Sequence, residues 1–335
     1  MNKNSNVYLQ SAKNCKNDEF YTTYEDIAKE LSNYTVQFYN KTVLCNCDDP
    51  FESNFCKYFA ENFNKLRLKR LICTSYKNSL YSQGELNFYD EELPQGDYLI
   101  LDGYDETKLK DYNQETIIHN ATIGKLAGNG DFASPECIEF LKEADIVVTN
   151  PPFSLFRPFI SLLVKYGKKF LVIGNMNAIT YKEIFPLIQN NEAWLVYNNG
   201  DMAFRVPADA EPRATRFWID ETGQKWRSLG NAMWLTNLDV SYRHQTMTLT
   251  TAYDPEIHRT FDNYDAINVS KVSLIPYDYE GIMAVPLTIL HKYNPDQFEI
   301  VGEANHGSDN PYDLFAPTID GKLIFKRILI RHKKC

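Results

Sequence analysis

A short polar and aromatic segment at residues 150–153 has the composition of a pocket for a planar amine. Asn150 is followed by Pro151 and Pro152, which have no main-chain N–H, and then by Phe153. The amide oxygen of Asn150 and the carbonyls of this rigid loop are acceptors, and two acceptors suit an –NH2 group. The ring of Phe153 offers a stacking surface for a heterocycle. The segment therefore predicts a site for an aromatic ring with an exocyclic amine.

Such a site could turn the amine into a nucleophile. An aromatic amine reacts poorly because its lone pair is delocalised into the ring. Two acceptors held outside the ring plane would favour tetrahedral nitrogen and localise the lone pair. No strong base is needed, because the nitrogen can lose its proton after attack. The contribution of the loop would be orientation and electrostatic preorganisation towards an electrophile held nearby.

The elements around this loop predict an α/β fold. Residues 145–149 are expected to form a short, largely apolar strand that ends at Asn150, and a helix is expected over residues 155–165. Other buried strands are expected at residues 42–47, 71–73, 170–174 and 194–197, alternating with helical patterns. This alternation favours a mostly parallel central sheet with helices on both faces. Ligands bind beyond the carboxyl ends of strands in such sheets, which is where residues 150–153 would lie.

The pattern changes after about residue 200, where short aromatic segments separated by turns predict antiparallel strands. We expect such strands at residues 217–219, 233–235 and 247–249. The chain of 335 residues is long enough for one large or two small domains. We divide it into an N-terminal segment, residues 1–40, a catalytic region, residues 41–200, and a C-terminal mixed α/β region, residues 201–335.

Charge is distributed unevenly along the chain. The formal net charge of −9 argues by itself against a polyanionic partner. However, residues 85–115 contain ten acidic residues against two lysines, and we interpret this stretch as a surface excursion outside the core. Residues 146–182 and 321–335 contain basic residues and no acidic ones. Local basic surfaces of this kind favour nucleic acid, although a solvated face is the better explanation of any single one of them.

Cysteine and histidine spacing indicates no metal site. The seven cysteines lack the paired spacing of zinc ligands, and the six histidines are scattered. We expect reduced cysteines in a cytoplasmic protein. No apolar run is long enough to cross a bilayer, and the N-terminus lacks the apolar region of a secretory signal, so no membrane partner is expected.

The motifs, in their order, resemble those of S-adenosylmethionine-dependent amino-methyltransferases. The segment at residues 150–153 is similar to the (Asp/Asn/Ser)-Pro-Pro-(Tyr/Phe/Trp) motif of that superfamily. Residues 18–22 resemble the motif near the methionine end of the cofactor, residues 43–50 occupy the place of the first cofactor loop, and residues 130–132 resemble the acidic motif that pairs with the cofactor adenine. This order is that of the gamma-type adenine-N6 DNA methyltransferases.

The resemblance is most specific to the EcoRI-type adenine methyltransferases and covers almost the whole chain from about residue 13. It rests on residues 16–22, 45–50, 146–156, 234–240, 263–269 and 326–330. It implies a Rossmann-like class I methyltransferase fold, S-adenosyl-L-methionine as the cofactor, and a target adenine flipped out of double-stranded DNA. The first cofactor loop departs from the usual glycine-rich pattern, since it contains no glycine.

The same resemblance implies a set of cofactor-binding residues: Phe20, Tyr21, Thr22, Asp48, Asp49, Pro50, Asn54, Asp131 and Phe132. Alternatives remain for several of them. Asp48, Asp49 and Pro50 could form the N-cap and first turn of a helix, because Asp is a good N-cap, and this role is compatible with cofactor binding. Asp131 could be a turn residue, and Phe153 of the loop could be a core residue.

Basic residues on either side of the loop are candidates for DNA contacts: Arg157, Lys165, Lys169, Arg205, Arg213, Arg216 and Arg227. The first three follow the loop directly and could contact the DNA backbone near the flipped base. Arginine can bind guanine in the major groove as well as phosphates, so we place target recognition in the C-terminal region. The alternative is that these side chains form surface pairs with neighbouring acids.

The predicted function is therefore methyl transfer to the N6 atom of adenine in a specific DNA site. By resemblance the site could be GAATTC, in a restriction-modification system whose restriction enzyme is not contacted directly, and the protein is expected to be a monomer. Two alternatives remain at this point. The same loop serves enzymes that methylate RNA bases or protein glutamine amides, and the chain could be a non-catalytic DNA-binding module of the same fold.

Overall fold

The computed structural model describes residues 21–77, 95–103, 120–206, 210–304 and 317–333. These form two compact units. The first comprises the described parts of Met1–Met176 and Asn198–Leu238, and the second those of Asn177–Tyr197 and Asp239–Cys335. Residues 201–238, assigned above to the C-terminal region, belong to the first unit because their strands extend its sheet.

Helices and strands alternate through the first part of the chain, as the sequence predicted. The helices are α1 (Tyr24–Leu31), α2 (Asn54–Glu61), α3 (Pro135–Glu143), α4 (Phe156–Lys165) and α5 (Phe185–Gln189). The strands up to residue 205 are β1 (Tyr21–Thr22), β2 (Thr42–Asn46), β3 (Arg70–Thr74), β4 (Asp97–Asp102), β5 (Ala121–Lys125), β6 (Ile146–Thr149), β7 (Lys169–Asn175), β8 (Trp194–Leu195) and β9 (Gly200–Arg205). The later strands are β10 (Phe217–Ile219), β11 (Lys225–Thr236), β12 (Ile267–Asn268), β13 (Met283–Val285), β14 (Phe298–Ala304), β15 (Thr318–Ile319), β16 (Lys322–Leu323) and β17 (Arg327–His332).

A large mixed sheet forms the centre of the first unit, with the strand order β1-β9-β11-β7-β6-β2-β3-β4-β5 and β10 paired to β11. The prediction of a mixed α/β protein is confirmed. A mostly parallel sheet is correct only for the four central strands, β7, β6, β2 and β3. On one side β4 and β5, and on the other β11, β9 and β1, are antiparallel. The apolar pattern of a strand shows that it is buried but does not fix its direction.

The buried central strands were predicted closely, whereas several peripheral elements differ. Apolar residues recur at helical spacing over residues 24–38 and predict a helix there, but the helix ends at Leu31 and continues only as a 3-10 turn to Tyr34. The expected strand at residues 247–249 does not form, and those residues have no regular secondary structure. The other two predicted strands form. Residues 217–219 are β10, and residues 233–235 lie within the twelve-residue strand β11.

Part of the acidic stretch is a strand of the central sheet, so its interpretation as a surface excursion is wrong for residues 97–102. Leu99 and Leu101 are buried, and residues 98–102 of β4 pair with β3. The buried Asp97 forms ion pairs with Lys77 and Lys125. Burial alternates along β4, with residues 97, 99 and 101 more deeply buried than their neighbours, as expected for a strand with one face on the core. The remaining acidic residues, at 85–92 and 105–115, lie outside the described residues.

A close approach of β7 to α4 fixes the chain that follows residues 150–153. A Cβ atom added to Gly174 would lie 2.5 Å from the ring of Phe156, the first residue of α4. Phe156, Phe159, Ile160 and Leu163 are buried along this helix at helical spacing. The absence of a side chain at residue 174 therefore lets α4 begin directly against the sheet.

The second unit contains a smaller sheet of order β12-β13-β17-β14, with a separate β15-β16 pair. Its core includes Phe261, Tyr264 and Leu329. None of the helices in the described ranges has the length and apolarity that a bilayer crossing needs.

Candidate active site

The loop at residues 150–153 lies at the carboxyl end of β6, as predicted. The amide Nδ2 of Asn150 donates to Thr22 Oγ1 at 3.4 Å, so Oδ1 is the acceptor atom of this side chain. A 3-10 turn begins at Phe153, whose side chain is half-buried. The amide of Asn150 is thereby oriented by a residue 128 positions earlier in the chain.

Not all carbonyls of this loop remain available to a ligand, in contrast to the prediction. The carbonyl of Pro152 accepts the main-chain N–H of Leu155 at 2.9 Å, which closes the 3-10 turn. The chain turns here into α4. Because the prolines have no N–H, the hydrogen bond that closes this turn comes from the N–H of Leu155. The second acceptor that the prediction requires is therefore not the carbonyl of Pro152.

Thr22 brings the N-terminal segment to the same edge of the sheet. It lies in β1, which pairs with β9, and its main-chain carbonyl accepts Asn54 Nδ2 at 2.7 Å. Thr22, Asn54 and Asn150, three of the predicted site residues, are thus joined by hydrogen bonds. Of the other predicted residues here, Phe20 lies outside the described residues, and for Tyr21 only the main chain is described.

Asp48 lies deeper in the site than the prediction of a cofactor ligand implies. It is 9% exposed, and its Oδ1 accepts Ser53 Oγ at 2.8 Å. Its Oδ2 contacts the hydroxyl of Thr149, the last residue of β6. Burial, opposed by hydrogen bonds from Thr149, Ser53 and the main chain of Asn150, raises the pKa of Asp48 to about 8. Asp48 therefore connects the loop after β2 to the start of α2 and the end of β6.

Asp49, unlike its buried neighbours Asp48 and Pro50, is half-buried in the same loop. Asp49 Oδ1 accepts the main-chain N–H of Phe51 at 2.9 Å, a local turn. The alternative that an Asp caps the following helix is wrong, because the N-cap of α2 is Ser53, whose hydroxyl accepts the N–H of Phe55. Asp49 is only half-buried, so its side chain is accessible where that of Asp48 is not.

The loop with Asp131 and Phe132 lies beside the end of β3. Lys77 donates its main-chain N–H to Asn129 at 2.8 Å, and Phe132 is buried edge-on against Phe159 at 5.1 Å. Asp131 is exposed and accepts the N–H of Ala133 at 2.8 Å, so the alternative of a turn residue is correct as far as its Oδ1 is concerned. Burial raises the pKa of the Cys47 thiol, with further contributions from Asp48, Cys137 and Asp131. Asp131 therefore lies near the loop after β2.

Gly130 is required for this placement, which gives a testable expectation. Its φ is +83°, and an added Cβ would lie 1.9 Å from the carbonyl oxygen of Ser75. We expect Gly130→Ala to lower the free energy of unfolding by about 1–3 kcal/mol and to displace Asp131 and Phe132. Thermal unfolding and the KM for the methyl donor measure both effects. The matched control is Gly128→Ala in the same loop, where nothing lies within 4 Å; equal effects of the two substitutions would contradict this account.

Three polar residues at the ends of the central strands were missed by the sequence analysis. Asn46 and Thr74 are opposite each other at the ends of β2 and β3, and Thr149 ends β6. All three are buried. Neither Asn46 Oδ1 nor Thr74 Oγ1 has a hydrogen-bond partner among the described residues. The available signal was a single polar residue closing each apolar run, a pattern expected where strand ends face a ligand.

The basic residues after the loop do not all lie near it. Arg157 lies near the loop, because it is exposed in the first turn of α4. Lys169 instead pairs with Ile146, at the start of β6 and about 13 Å along the strand direction from Asn150. Lys165 is the last residue of α4, which runs for about 15 Å away from the loop, towards the edge of the sheet where β6 begins. The expectation that Lys165 and Lys169 lie beside the loop is therefore wrong, because a helix after a parallel strand returns the chain to the amino edge.

The predicted arginines of residues 205–227 lie on or beside the β9-β11-β10 strands. Arg205 is opposite Trp226, which is opposite Trp218, so the three share one face of this ribbon. The two tryptophans stack at 6.4 Å. Arg227 is on the other face, opposite the buried Phe204.

Two of these arginines form surface ion pairs, as the alternative supposed. Arg205 lies 3.4 Å from Glu52 and Arg216 lies 3.3 Å from Asp201, with all four side chains substantially exposed. Arg213 is exposed as well. Exposed ion pairs of this kind contribute about 0–1 kcal/mol to stability, so each arginine can exchange its carboxylate partner for a phosphate at little cost.

In the part of the chain that the structure describes, no group of three or more His, Cys, Asp or Glu residues is arranged to hold a metal ion. The candidate site is therefore made of amides, hydroxyls, carboxyls and aromatic rings. This composition suits an organic ligand with amino and hydroxyl groups.

Comparisons with known proteins give a consistent result. The family model "Adenine-specific methyltransferase EcoRI" matches residues 8–333. The chain is 45% identical to the type II methyltransferase M.EcoRI of Escherichia coli, over 98% of each chain. It is 40% identical to M.MgeORF184P of Mycoplasma genitalium and 39% identical to M.MpnI of Mycoplasma pneumoniae, in both cases over 88% of this chain and 85% of the relative. No solved structure matches the chain.

Proposed function

Because the chain belongs to the family of EcoRI adenine-specific methyltransferases, we propose that its loop at residues 150–153 methylates N6 of an adenine held at the carboxyl edge of the central sheet. The protein is a site-specific DNA methyltransferase that acts on adenine, of the type II restriction-modification class. The observation that most supports the loop assignment is the joining of Thr22, Asn54 and Asn150 by hydrogen bonds at that edge.

The catalytic contribution of the loop is the placement of acceptors. Asn150 Oδ1 and the carbonyl of Pro151 would each accept one hydrogen of the adenine amine, while Phe153 stacks on the base. Both acceptors polarise the amine and localise its lone pair towards the methyl group. Thr22 holds the Asn150 amide in the orientation that presents its oxygen. The proton of the amine leaves after attack, so no side chain needs to act as a strong base.

The residues at the carboxyl edge fit S-adenosyl-L-methionine, the methyl donor that the family implies. The unsatisfied atoms of Asn46 and Thr74 are buried hydrogen-bonding groups that a ligand with hydroxyl and amino groups can satisfy. This donor supplies an electrophilic methyl group on a positively charged sulfur. We propose that the methyl donor is bound by Thr22, Asp49, Pro50, Asn54, Asp131 and Phe132, together with Phe20 and Tyr21, which directly precede Thr22. The carboxyl of Asp48 already contacts Ser53 and Thr149, so Asp49 is the acid of this loop that would face the donor.

Double-stranded DNA would lie across the same edge of the first unit. Arg157 is near the loop, and the face with Arg205, Trp226 and Trp218 provides a cation beside two stacked rings. Such a face suits the sugar-phosphate backbone and an unstacked base. Arg213 and Arg216, which precede β10, would add contacts, whereas Arg227 lies on the other face of the ribbon and is not assigned to this surface. Extraction of the adenine costs a few kcal/mol, which these contacts and the Phe153 stack would offset.

The finer fold and assembly assignments are part of the same proposal. The parallel strands β7, β6, β2 and β3 form the Rossmann-like class I core, residues 1–40 contribute to the cofactor site, and the region from residue 201 recognises the target. The protein would act as a monomer in the cytoplasm. A restriction enzyme of the same specificity would be its genetic partner, without direct contact.

We propose GAATTC as the target, by membership of the family. The test is transfer of a labelled methyl group from S-adenosyl-L-methionine to matched duplexes that contain GAATTC or a scrambled site, and to RNA of the same sequence. We expect label in the GAATTC duplex, lost steeply as salt rises. Equal labelling of the scrambled duplex would reject this target, and label in the RNA alone would reject the assignment of double-stranded DNA.

A further inference from the structure

The hydroxyl of Thr149 lies between two oxygen atoms. Its Oγ1 contacts the main-chain oxygen of Asn46 and Oδ2 of Asp48, and Thr149 is fully buried. A hydroxyl has one hydrogen and can donate only once. One of these two close oxygen–oxygen contacts therefore needs a hydrogen from another group.

Only one of the two neighbouring oxygens can provide that hydrogen. The carbonyl of Asn46 has none, whereas a neutral carboxylic acid at Asp48 has an O–H. In the arrangement that satisfies every contact, Thr149 donates to Asn46, and Asp48 donates from Oδ2 to Thr149. Asp48 Oδ1 remains an acceptor for the hydroxyl of Ser53 at 2.8 Å. Each hydrogen is then used once.

The surroundings of Asp48 favour this neutral form. Its carboxyl is buried, and burial raises its pKa to about 8. The titratable groups that face it are the thiols of Cys45, Cys47 and Cys56, from β2, the loop after it and α2. β6 contributes the uncharged Thr149, and the next residue, Asn150, donates its main-chain N–H to the carboxyl, which only partly opposes the effect of burial. The end of β3 contributes the carbonyl of Thr74, which accepts the N–H of Asp48. No cation is among these neighbours in the described residues, so nothing offsets the loss of water around a carboxylate.

We propose that Asp48 is a positioning residue that works as a neutral acid, donating its O–H to Thr149 and thereby fixing the end of β6 and the adjacent Asn150. The proposal rests on the proposed role of Asn150 in methyl transfer. It gives the glycine-free loop after β2 a function besides contact with the methyl donor, because the loop then links the cofactor side of the site to the catalytic loop.

Ionisation of Asp48 should disturb this arrangement. Loss of its proton leaves two close oxygen–oxygen contacts around Thr149 with a single hydrogen between them, and places a charge in a buried position. Because Asn150 follows Thr149 directly, its amide would shift relative to the target amine. Turnover should therefore fall as the pH rises through about 8.

Two substitutions separate the neutral acid from a carboxylate. Asp48→Asn keeps an oxygen for Ser53 and supplies an N–H to Thr149, without an ionisable proton. Asp48→Ala removes both contacts. The measurement is kcat and KM for S-adenosyl-L-methionine from pH 6 to 10, on the GAATTC duplex, for the full-length protein and both variants.

We expect Asp48→Ala to lower kcat at least tenfold at pH 7 with less than a threefold change in KM, and Asp48→Asn to recover most of that turnover without the fall above pH 8. An Asp48→Asn variant as impaired as Asp48→Ala would overturn the proposal, since the carboxylate would then be the working form. An increase in KM alone would also overturn it, since Asp48 would then be a ligand of the methyl donor.

Thermal unfolding gives a test that is independent of activity. The unfolded chain releases the Asp48 proton near pH 4, whereas the folded protein keeps it to about pH 8. The unmodified protein should therefore lose stability relative to Asp48→Asn as the pH rises from about 5 to 8, with a constant difference above. A melting-temperature difference that is the same at pH 5 and pH 8 would overturn the neutral acid. Failure of the catalytic assignment would be recognised separately, by an active Asn150→Ala variant.

Discussion

Replacement of Asn150 by alanine is expected to lower the kcat of adenine methylation by about 100- to 1,000-fold. The side-chain oxygen is one of two acceptors proposed to align the amine, and removal of one preorganised polar partner from a closed site costs about 2.7–4 kcal/mol of transition-state stabilisation. The KM for S-adenosyl-L-methionine should change little, because this amide donates to Thr22 and is not part of the proposed cofactor contacts. Steady-state methyl transfer with calorimetric binding of the methyl donor measures both quantities.

Asn150→Asp is the matched control for this substitution. It keeps an oxygen of the same shape at the same place and is therefore expected to retain much more activity than alanine. A variant Asn150→Ala that turns over within threefold of the unmodified protein would remove Asn150 from the mechanism. Loss of donor binding in the same variant would assign the residue to the cofactor site instead.

Replacement of Phe153 by alanine is expected to reduce kcat/KM for DNA by about 5- to 150-fold. The ring is half-buried directly after the prolines, where it can stack on an extracted base, and such stacking is worth about 1–3 kcal/mol per base. The effect should be smaller on a duplex in which the target adenine faces a mismatch, because extraction of that base costs less.

Phe153→Tyr preserves the stacking surface and is the control, with activity expected near that of the unmodified protein. The alternative interpretation of Phe153 as a core residue predicts a different pattern. In that case Phe153→Ala would lower the melting temperature strongly and equally impair methylation of paired and mismatched duplexes. That outcome would contradict a stacking role.

The catalytic loop could be predicted from sequence because its chemistry and its position are both local. Asn150 and the two prolines end an apolar run, and a strand end in a parallel sheet is a ligand-binding edge. The buried central strands were predictable for the same reason, since four or five consecutive apolar residues fit few other structures. The antiparallel strands on either side were not, because pairing direction depends on partners distant in sequence.

The partners of the site residues are long-range and could not be predicted. Thr22 and Asn150 are 128 positions apart, and the contact of Asp48 with Thr149 spans 101. Spacing alone gave Asp48 and Asp49 the same predicted role, whereas the fold buries Asp48 and leaves Asp49 half-buried. Lys165 and Lys169 were misplaced for a related reason. They are close to the loop in sequence, but the helix α4 leads the chain away from it, so they are distant in space.

The most direct test of the central claim is to identify the methylated nucleoside. The full-length protein is incubated with labelled S-adenosyl-L-methionine and a GAATTC duplex, the DNA is digested to nucleosides, and the label is located by chromatography and mass. We predict label in N6-methyldeoxyadenosine, one methyl group per strand, with little formed by the Asn150→Ala variant. Label in a methylated cytosine, or equal N6-methyldeoxyadenosine from the variant, would contradict the account.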